Sequence, residues 1–151
     1  MKKIEEWLGD THWDVIHFNW GLWDLCYRHP DSEVYGNRDK VNGALTTTLR
    51  QYKRNMKALV RIIERRGKCI IWANNTPVPP GEAGRFEGDA ARYNQAALKV
   101  MKKHNARIND LYGVMQPHIE KYQVRPGDVH FTPEGYRFLA EQVAMQIRAC
   151  L

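Results

Sequence analysis

The sequence predicts an α/β domain built around a parallel sheet. Short apolar runs alternate along the chain with longer amphipathic stretches, which is typical of strands connected by helices. Residues 69–73 are apolar at successive positions, as strands buried on both faces of a parallel sheet are. We therefore expect strands that alternate with helices along the chain.

The first half of the chain predicts two strands and one helix. Residues 15–18 and residues 69–73 form the apolar runs of the strands. Between them, apolar residues recur at spacings of three, four and seven from Leu49 to Ile63, which predicts one face of a helix. The threonines at positions 46–48 offer an N-cap for this helix, and Gly67 offers a signal for its C-terminal end.

The second half predicts a third strand and three helical segments. A helix is expected over residues 89–104, a short strand over residues 106–109, and a helical stretch over residues 111–122 that Pro117 splits. The last helix begins at Thr132, an N-cap followed by a proline. Its expected core face carries Tyr136, Leu139, Ala140, Val143 and Ile147.

Two connections, residues 26–45 and residues 74–88, are long enough to be functional lids or disordered segments. Residues 15–18 are apolar on both faces, which suits a central strand, because an exposed apolar edge promotes aggregation. No segment of the sequence obviously supplies the neighbouring strand. We therefore expect that a strand beside residues 15–18 is missing from this chain, with a homodimer or strand exchange as a way to cover the exposed edge.

Composition excludes several classes of protein. The 151 residues fit one domain, residues 1–151, and 43% hydrophobic with 26% charged residues is typical of a folded globular protein. No apolar run approaches the roughly 20 residues that cross a bilayer, so no membrane partner is expected. The net charge of +6 is scattered and lacks a recognition motif. We interpret it as a solubility charge and expect no nucleic-acid partner.

The three cysteines are Cys26, Cys69 and Cys150. An odd count without Cys-x-x-Cys spacing predicts neither a disulfide framework nor a zinc site. Cys69 lies in an apolar run and is expected to be a small core residue. Free thiols and the lack of a signal sequence in this chain favour the cytoplasm. Because a strand is expected to be missing from this chain, the compartment stays open.

Asp128 and His130 stand two residues apart, just before the last predicted helix. A carboxylate beside an imidazole fixes one tautomer and makes the imidazole a better base. Because Asp-x-His is short and common, the spacing alone favours an ordinary surface loop with a helix cap over a catalytic pair.

Asn19 and Gly21 follow the first predicted strand, at the carboxyl end where α/β sheets bind ligands. A glycine lets the backbone approach a substrate, and polar donors there would stabilise an oxyanion. In the alternative interpretation, Gly21 only turns the chain and the neighbouring tryptophans belong to the core.

Residues 13–25, 71–78 and 128–135 together resemble the SGNH/GDSL hydrolase family, in that order and at matching separations. The resemblance covers essentially the whole chain. It implies a flavodoxin-like three-layer α/β/α sandwich, of which this single domain is the C-terminal two-thirds. The resemblance thus also implies that the first strands of the sheet are missing, which agrees with the uncovered edge of residues 15–18. It also implies a serine hydrolase that cleaves acyl esters, acetylated carbohydrates among them, without a cofactor or metal.

Residue by residue, the resemblance implies that His130 is the base and Asp128 the acid that orients it. The common family spacing, Asp-x-x-His, would place the acid at Gly127. Residues 21–24 align with the Gly-x-Asn-Asp block of the family. This alignment implies an oxyanion or substrate pocket, formed by Gly21, Asn19 and Trp23, with Trp23 in place of the family asparagine.

The nucleophile is unknown, because the only serine, Ser32, lacks the strand–turn–helix setting that a nucleophile needs. We expect a serine ester hydrolase domain that is inactive as this chain, with a small-molecule or carbohydrate ester as substrate. The alternative is a non-catalytic protein that binds a carbohydrate or a partner. In that case Trp20, Trp23 and Trp72 offer aromatic surface near the cleft.

Overall fold

The computed structural model describes residues 2–151, so Met1, which the predicted domain includes, lies outside the described residues. The first half of the described chain contains α1 (Lys2–Leu8), β1 (Trp13–Phe18), β2 (Tyr27–Arg28), β3 (Ala44–Leu45) and α2 (Leu49–Ile63). The second half contains β4 (Gly67–Ala73), α3 (Asp89–Lys103), β5 (Arg107–Asn109), α4 (Leu111–Met115), α5 (Ile119–Tyr122) and α6 (Pro133–Arg148).

A parallel sheet of order β1-β4-β5 forms the centre of the fold. Val15 lies opposite Cys69, and Trp72 lies opposite Ile108. These strands are the three that the sequence predicts, with bounds that differ by one or two residues. The predicted class, an α/β fold with a parallel sheet, is confirmed.

Helices pack on both faces of the sheet. Ile16, Phe18 and Trp72 point into the main core, which α1, α2 and α3 cover. Asn109 faces the opposite side, where its Oδ1 accepts a hydrogen bond from Gln142 of α6 at 3.2 Å. The helices α4, α5 and α6 enclose a second, smaller core. Its buried residues are Met115, Phe131 and Leu139.

The helix ends follow the sequence signals. Thr48 caps α2 by accepting from the backbone N–H of Gln51, and Thr132 caps α6 by accepting from that of Gly135. A 3-10 turn at Gln116–His118, which contains Pro117, separates α4 from α5, so the predicted split is confirmed. In residues 2–151, no helix combines the length and apolar character needed to span a bilayer.

β1 lies at an edge of the sheet, whereas its apolar character predicted a central strand. Among residues 2–151 it pairs with β4 alone, and no described strand covers its outer side. Phe18 is buried, but Val15 and Ile16 are only half-buried. The short strands β2 and β3 form a separate antiparallel pair, and α1 packs against α2.

Cys69 and Cys150 form a disulfide, with their Cα atoms 6.0 Å apart. The prediction that the cysteines stay reduced is therefore wrong for this pair, and Cys69 is half-buried rather than a core residue. Sequence spacing conceals the pair, because 81 residues separate the two cysteines and only the fold brings the end of α6 beside β4. Cys26 is free and buried. The argument for the cytoplasm that rested on free thiols no longer holds.

The two long connections are ordered and pack against each other. The backbone N–H of Tyr27 donates to the carbonyl of Gly84 at 2.7 Å, and that of Lys40 donates to the carbonyl of Ala83 at 2.9 Å. Residues 74–79 are all buried. Disorder, one of the two outcomes expected for these lengths, is therefore wrong for both connections.

Candidate active site

A cavity of about 470 Å³ lies at the carboxyl end of β1, between the two long connections and the start of α6. Its volume is within the roughly 300–1,000 Å³ of ligand pockets. Ligands of open α/β sheets bind at this end of the parallel strands. Residues 19–24 and residues 129–131 both line the cavity. The structure therefore brings the two predicted site segments together.

Asp128 and His130 are hydrogen-bonded beside the cavity. Nδ1 of His130 lies 2.7 Å from Oδ1 of Asp128, and the backbone N–H of His130 donates to the same oxygen at 3.0 Å. The side chain of His130 is 64% exposed and lines the cavity, whereas Asp128 is buried. An ionised carboxylate only accepts hydrogen bonds, so in the neutral imidazole the ring proton is on Nδ1 and Nε2 is the acceptor. This is the arrangement of a base and the acid that orients it.

The neighbours of Asp128 favour its charged form. Burial raises the pKa of this carboxyl, but the hydrogen bonds from His130 and the charges of His130 and Arg125 outweigh burial and hold the pKa below its usual range. Nε of Arg125 lies 3.2 Å from Oδ2 of Asp128. Asp128 is therefore ionised at neutral pH and keeps the imidazole in one tautomer.

Gly127 makes the short Asp-x-His spacing workable. Its φ of 77° is in the left-handed region that glycine adopts at little cost. A Cβ at this position would lie 2.9 Å from the carbonyl oxygen of Gly81. The turn closes when the backbone N–H of Asp128 donates to the carbonyl of Arg125 at 3.1 Å. The carboxylate that reaches His130 thus comes from position 128.

Asn19 and Gly21 line the cavity just beyond β1. Gly21 is buried with a φ of 151°, and a Cβ there would overlap the side chain of Asn75. Nδ2 of Asn19 donates to the carbonyl of Ala73 at 2.8 Å. One amide hydrogen of Asn19 thus ties the end of β1 to β4, and an amide nitrogen carries a second hydrogen that can reach a ligand.

Trp23 lines the cavity with 52% of its surface exposed. Cζ of Arg28 lies over its ring, 3.9 Å from the centroid, and Cζ of Arg85 lies 5.9 Å from it. Trp20 also lines the cavity and is half-buried. The prediction for Trp72 is wrong, because β4 directs this ring into the main core, where it is 1% exposed.

Two tyrosines add exposed aromatic surface to the cavity. Tyr35 is 81% exposed and Tyr136 is 50% exposed. Tyr136 was expected on the core face of the last helix, but it stands in the first turn of α6, which faces the cavity. Tyr35 lies in the first long connection and has no periodic sequence signal.

A buried ionic cluster behind the cavity wall has no signal in the sequence. Oε1 of Glu82 accepts from Nη1 of Arg38 at 2.7 Å and from Nη1 of Arg85 at 2.8 Å. Glu82 is 0% exposed, while both arginines line the cavity. These residues come from the two long connections. Because neither connection has a regular repeat, no sequence pattern links position 38 to positions 82 and 85.

Asp24 is the carboxylate on the cavity wall itself. Burial raises the pKa of Asp24, and hydrogen bonds from Thr47 and from its own backbone partly offset that effect.

Ser32 is not among the lining residues, and its Oγ donates to the carbonyl of Arg38 at 2.9 Å. Across residues 2–151, no three His, Cys, Asp or Glu side chains converge as metal ligands.

Solved esterases share this fold. The lipase/acylhydrolase from Enterococcus faecalis matches with a TM-score of 0.68 and 18% identity, over 90% of this chain and 62% of that protein. Axe2, an acetylxylan esterase from Geobacillus stearothermophilus, matches with a TM-score of 0.68 and 16% identity, over 96% of this chain and 65% of Axe2. This chain thus spans less than two-thirds of either protein. Identities this low establish the fold alone.

The sequence profile of the GDSL-like Lipase/Acylhydrolase family matches residues 3–138. Because this match covers most of the sequence, the chain belongs to that family. The resemblance carried by residues 13–25, 71–78 and 128–135 is confirmed, and the fold is that of an ester hydrolase. No curated protein sequence matches the chain as a relative.

Proposed function

We propose that this chain carries the proton-transferring half of a GDSL-type serine ester hydrolase, with the cavity as the site for an acyl ester of a carbohydrate. The observation that carries the proposal is the 2.7 Å contact between Asp128 and His130, beside a cavity at the carboxyl end of β1. The structural similarity to Axe2, an acetylxylan esterase, supports an acetylated sugar as the substrate class.

In this mechanism, a base takes the proton of a hydroxyl while the hydroxyl oxygen attacks the ester carbonyl. Nε2 of His130 would accept that proton, and the carboxylate of Asp128 would stabilise the imidazolium through Nδ1. The negative charge that develops on the carbonyl oxygen requires N–H donors. The proposed donors are the second amide hydrogen of Asn19, the backbone of Gly21 and the indole N–H of Trp23.

We further propose that this chain alone does not complete the reaction. Its only serine, Ser32, lies outside the cavity lining. A base without an acyl acceptor supplies only weak general-base catalysis. The purified chain is expected to hydrolyse p-nitrophenyl acetate no faster in the wild type than in the variant His130→Ala. Turnover that His130→Ala abolishes would contradict this expectation.

Gain of activity tests the hydrolase assignment. A strand and turn that carry the Gly-Asp-Ser segment of a GDSL-family esterase would be fused ahead of residue 1, and the fusion is expected to hydrolyse p-nitrophenyl acetate. Two matched controls, the fusion with alanine for the serine and the fusion with His130→Ala, are expected to be inactive. A folded fusion without activity would contradict the hydrolase assignment, and activity that survives His130→Ala would exclude His130 as the base.

Exposed aromatic side chains favour a second candidate function, carbohydrate binding without catalysis. Trp23, Tyr35 and Tyr136 are each at least half exposed and line the same cavity, and aromatic rings combine large apolar faces with polar edges. Calorimetry with acetylated xylo-oligosaccharide is expected to show binding that Trp23→Ala removes. Trp7→Ala is the matched control, because Trp7 is 64% exposed on α1 and does not line the cavity. Equal loss in both variants would exclude the cavity as the binding site.

A further inference from the structure

The cavity wall contains more guanidinium groups than its buried carboxylate neutralises. Oε1 of Glu82 accepts from both Arg38 and Arg85, and Oε2 accepts from the backbone N–H of Gly84 at 2.7 Å. Two arginines on one carboxylate leave one positive charge in excess. Glu82 is 0% exposed, so its carboxylate meets the two guanidinium groups out of contact with water.

Both arginines are fixed in place and reach the cavity. Nε of Arg38 donates to the carbonyl of Tyr35 at 3.0 Å, and Nε of Arg85 donates to the carbonyl of Leu22 at 2.7 Å. In each residue, Nε and Nη1 are thus occupied, while Nη2 has no hydrogen-bond partner among residues 2–151. Their side chains are only 13% and 4% exposed, so little rotamer entropy remains to be lost on binding.

The other charges near this wall do not cancel the excess. Asp24 lines the cavity but forms no ion pair with Arg38 or Arg85. Arg28 stacks on Trp23, and its buried Nε has no hydrogen-bond partner among the described residues. Arg28 does not itself line the cavity, but it stacks on the lining residue Trp23. With Arg28 counted, three guanidinium groups exceed the carboxylates of Glu82 and Asp24 by one charge, even with both carboxylates ionised.

We propose that Arg38 and Arg85 form a carboxylate subsite, so that the cavity takes an ester carried by an acidic sugar such as a hexuronate. This inference rests on the proposed carbohydrate-ester function and names its substrate class. Arg28 covers one face of the Trp23 ring, and the other face packs against the sugar ring. Cζ of Arg85 lies 5.9 Å from the centroid of the Trp23 ring. Guanidinium groups bind carboxylates through paired, charge-assisted hydrogen bonds, which a neutral sugar does not offer.

Calorimetry on the unmodified chain tests the subsite directly. The probes are methyl galacturonoside, its methyl ester, which has nearly the same shape without the charge, and sodium acetate. The acid is expected to bind at least about tenfold more tightly than the ester, and more tightly than acetate. Equal affinity for acid and ester would overturn the subsite. Acetate binding as tight as that of the acid would overturn the assignment to a sugar.

Charge-matched variants separate the subsite from the general attraction of a basic protein for anions. Arg38→Gln is expected to remove the preference for the acid. Arg50→Gln removes the same charge from the exposed surface of α2 and is expected to preserve it. Equal loss in both variants would overturn the inference. If Arg38→Gln does not fold, the comparison of acid with ester in the unmodified chain decides alone.

The outcomes also separate this inference from the proposed function. Binding of acid and ester with equal affinity would leave the carbohydrate-ester assignment standing and remove only the subsite. Failure to bind any of the sugars would overturn both the subsite and the carbohydrate assignment. Absence of His130-dependent activity in the fused protein bears on the ester hydrolase assignment and leaves these binding results unaffected.

Discussion

The backbone of Gly21 packs directly against the side-chain amide of Asn75. Asn94 of α3 holds Asn75 from the other side: its Oδ1 accepts from Nδ2 of Asn75 at 3.0 Å, and its Nδ2 donates to the carbonyl of Asn75 at 2.8 Å. Asn75 is 1% exposed and has no room to move away. The cavity edge at position 21 is therefore coupled to a helix that covers the main core.

Gly21→Ala is expected to lower the free energy of unfolding by about 2–4 kcal/mol, because backbone strain at positive φ adds to the overlap of the new Cβ with Asn75. Gly81→Ala is the matched control. Its φ is 80°, but a Cβ there meets no atom within 4 Å, so only backbone strain applies. Urea unfolding of both variants measures the difference. Equal losses would show that the contact with Asn75 does not restrict position 21.

Asp128 is expected to make stability depend on pH in the acid range. Its pKa is lowered in the folded protein from 3.8, so its contribution is present above that value and is lost as pH falls through the lowered pKa. Asp128→Asn is expected to cost about 1.5–3 kcal/mol at pH 7, the range for a hydrogen bond to a charged group. Urea unfolding of both proteins between pH 7 and pH 2 should show this difference shrinking. A constant difference would contradict the assignment.

Glu82→Ala is expected to be strongly destabilising. It leaves the guanidinium groups of Arg38 and Arg85 buried without their carboxylate, and breaking a buried ion pair costs about 3–5 kcal/mol. Glu87→Ala changes the same residue type at an exposed position five residues later and is expected to shift stability by no more than about 0.5 kcal/mol. Thermal unfolding compares them, and similar melting temperatures would rule out a stabilising cluster.

Cys150→Ser is expected to lower the free energy of unfolding by about 2–4 kcal/mol in the oxidised protein, because the disulfide with Cys69 closes a long loop. Reductant provides the internal control. It should destabilise the unmodified chain to the level of the variant and leave the variant unchanged. A reductant effect of equal size in both proteins would be evidence against the disulfide.

Most of the fold could be predicted because its signals are local. The apolar residues of α2 repeat at helical spacing, and the apolar run in β4 is continuous, so the pattern of each element lies within 15 residues of sequence. The antiparallel pair of β2 and β3 was not predictable, because a two-residue strand contains no period. α1 was missed as well, although Ile4 and Leu8 stand four residues apart on its buried face.

The candidate site also has a part that the sequence predicts and a part that it does not. The contact of Asp128 with His130 was predictable because the two residues are close in the sequence, and Gly21 was predictable because it follows β1. The cluster of Arg38, Glu82 and Arg85 was not, because its members meet only after two irregular connections pack together. The disulfide was not predicted for the same reason, because 81 residues separate its two cysteines.

β1 is hydrogen-bonded along one side only within residues 2–151. Successive amide groups of a strand point to opposite sides, so every second N–H of Trp13–Phe18 faces β4 and the others face outward. Deuterium uptake along this segment should therefore alternate between slow and fast. A strand that docks on the outer side, from a fused segment or from another molecule, would slow deuterium uptake at the outward-facing amides. The docking could thus be detected without any substrate.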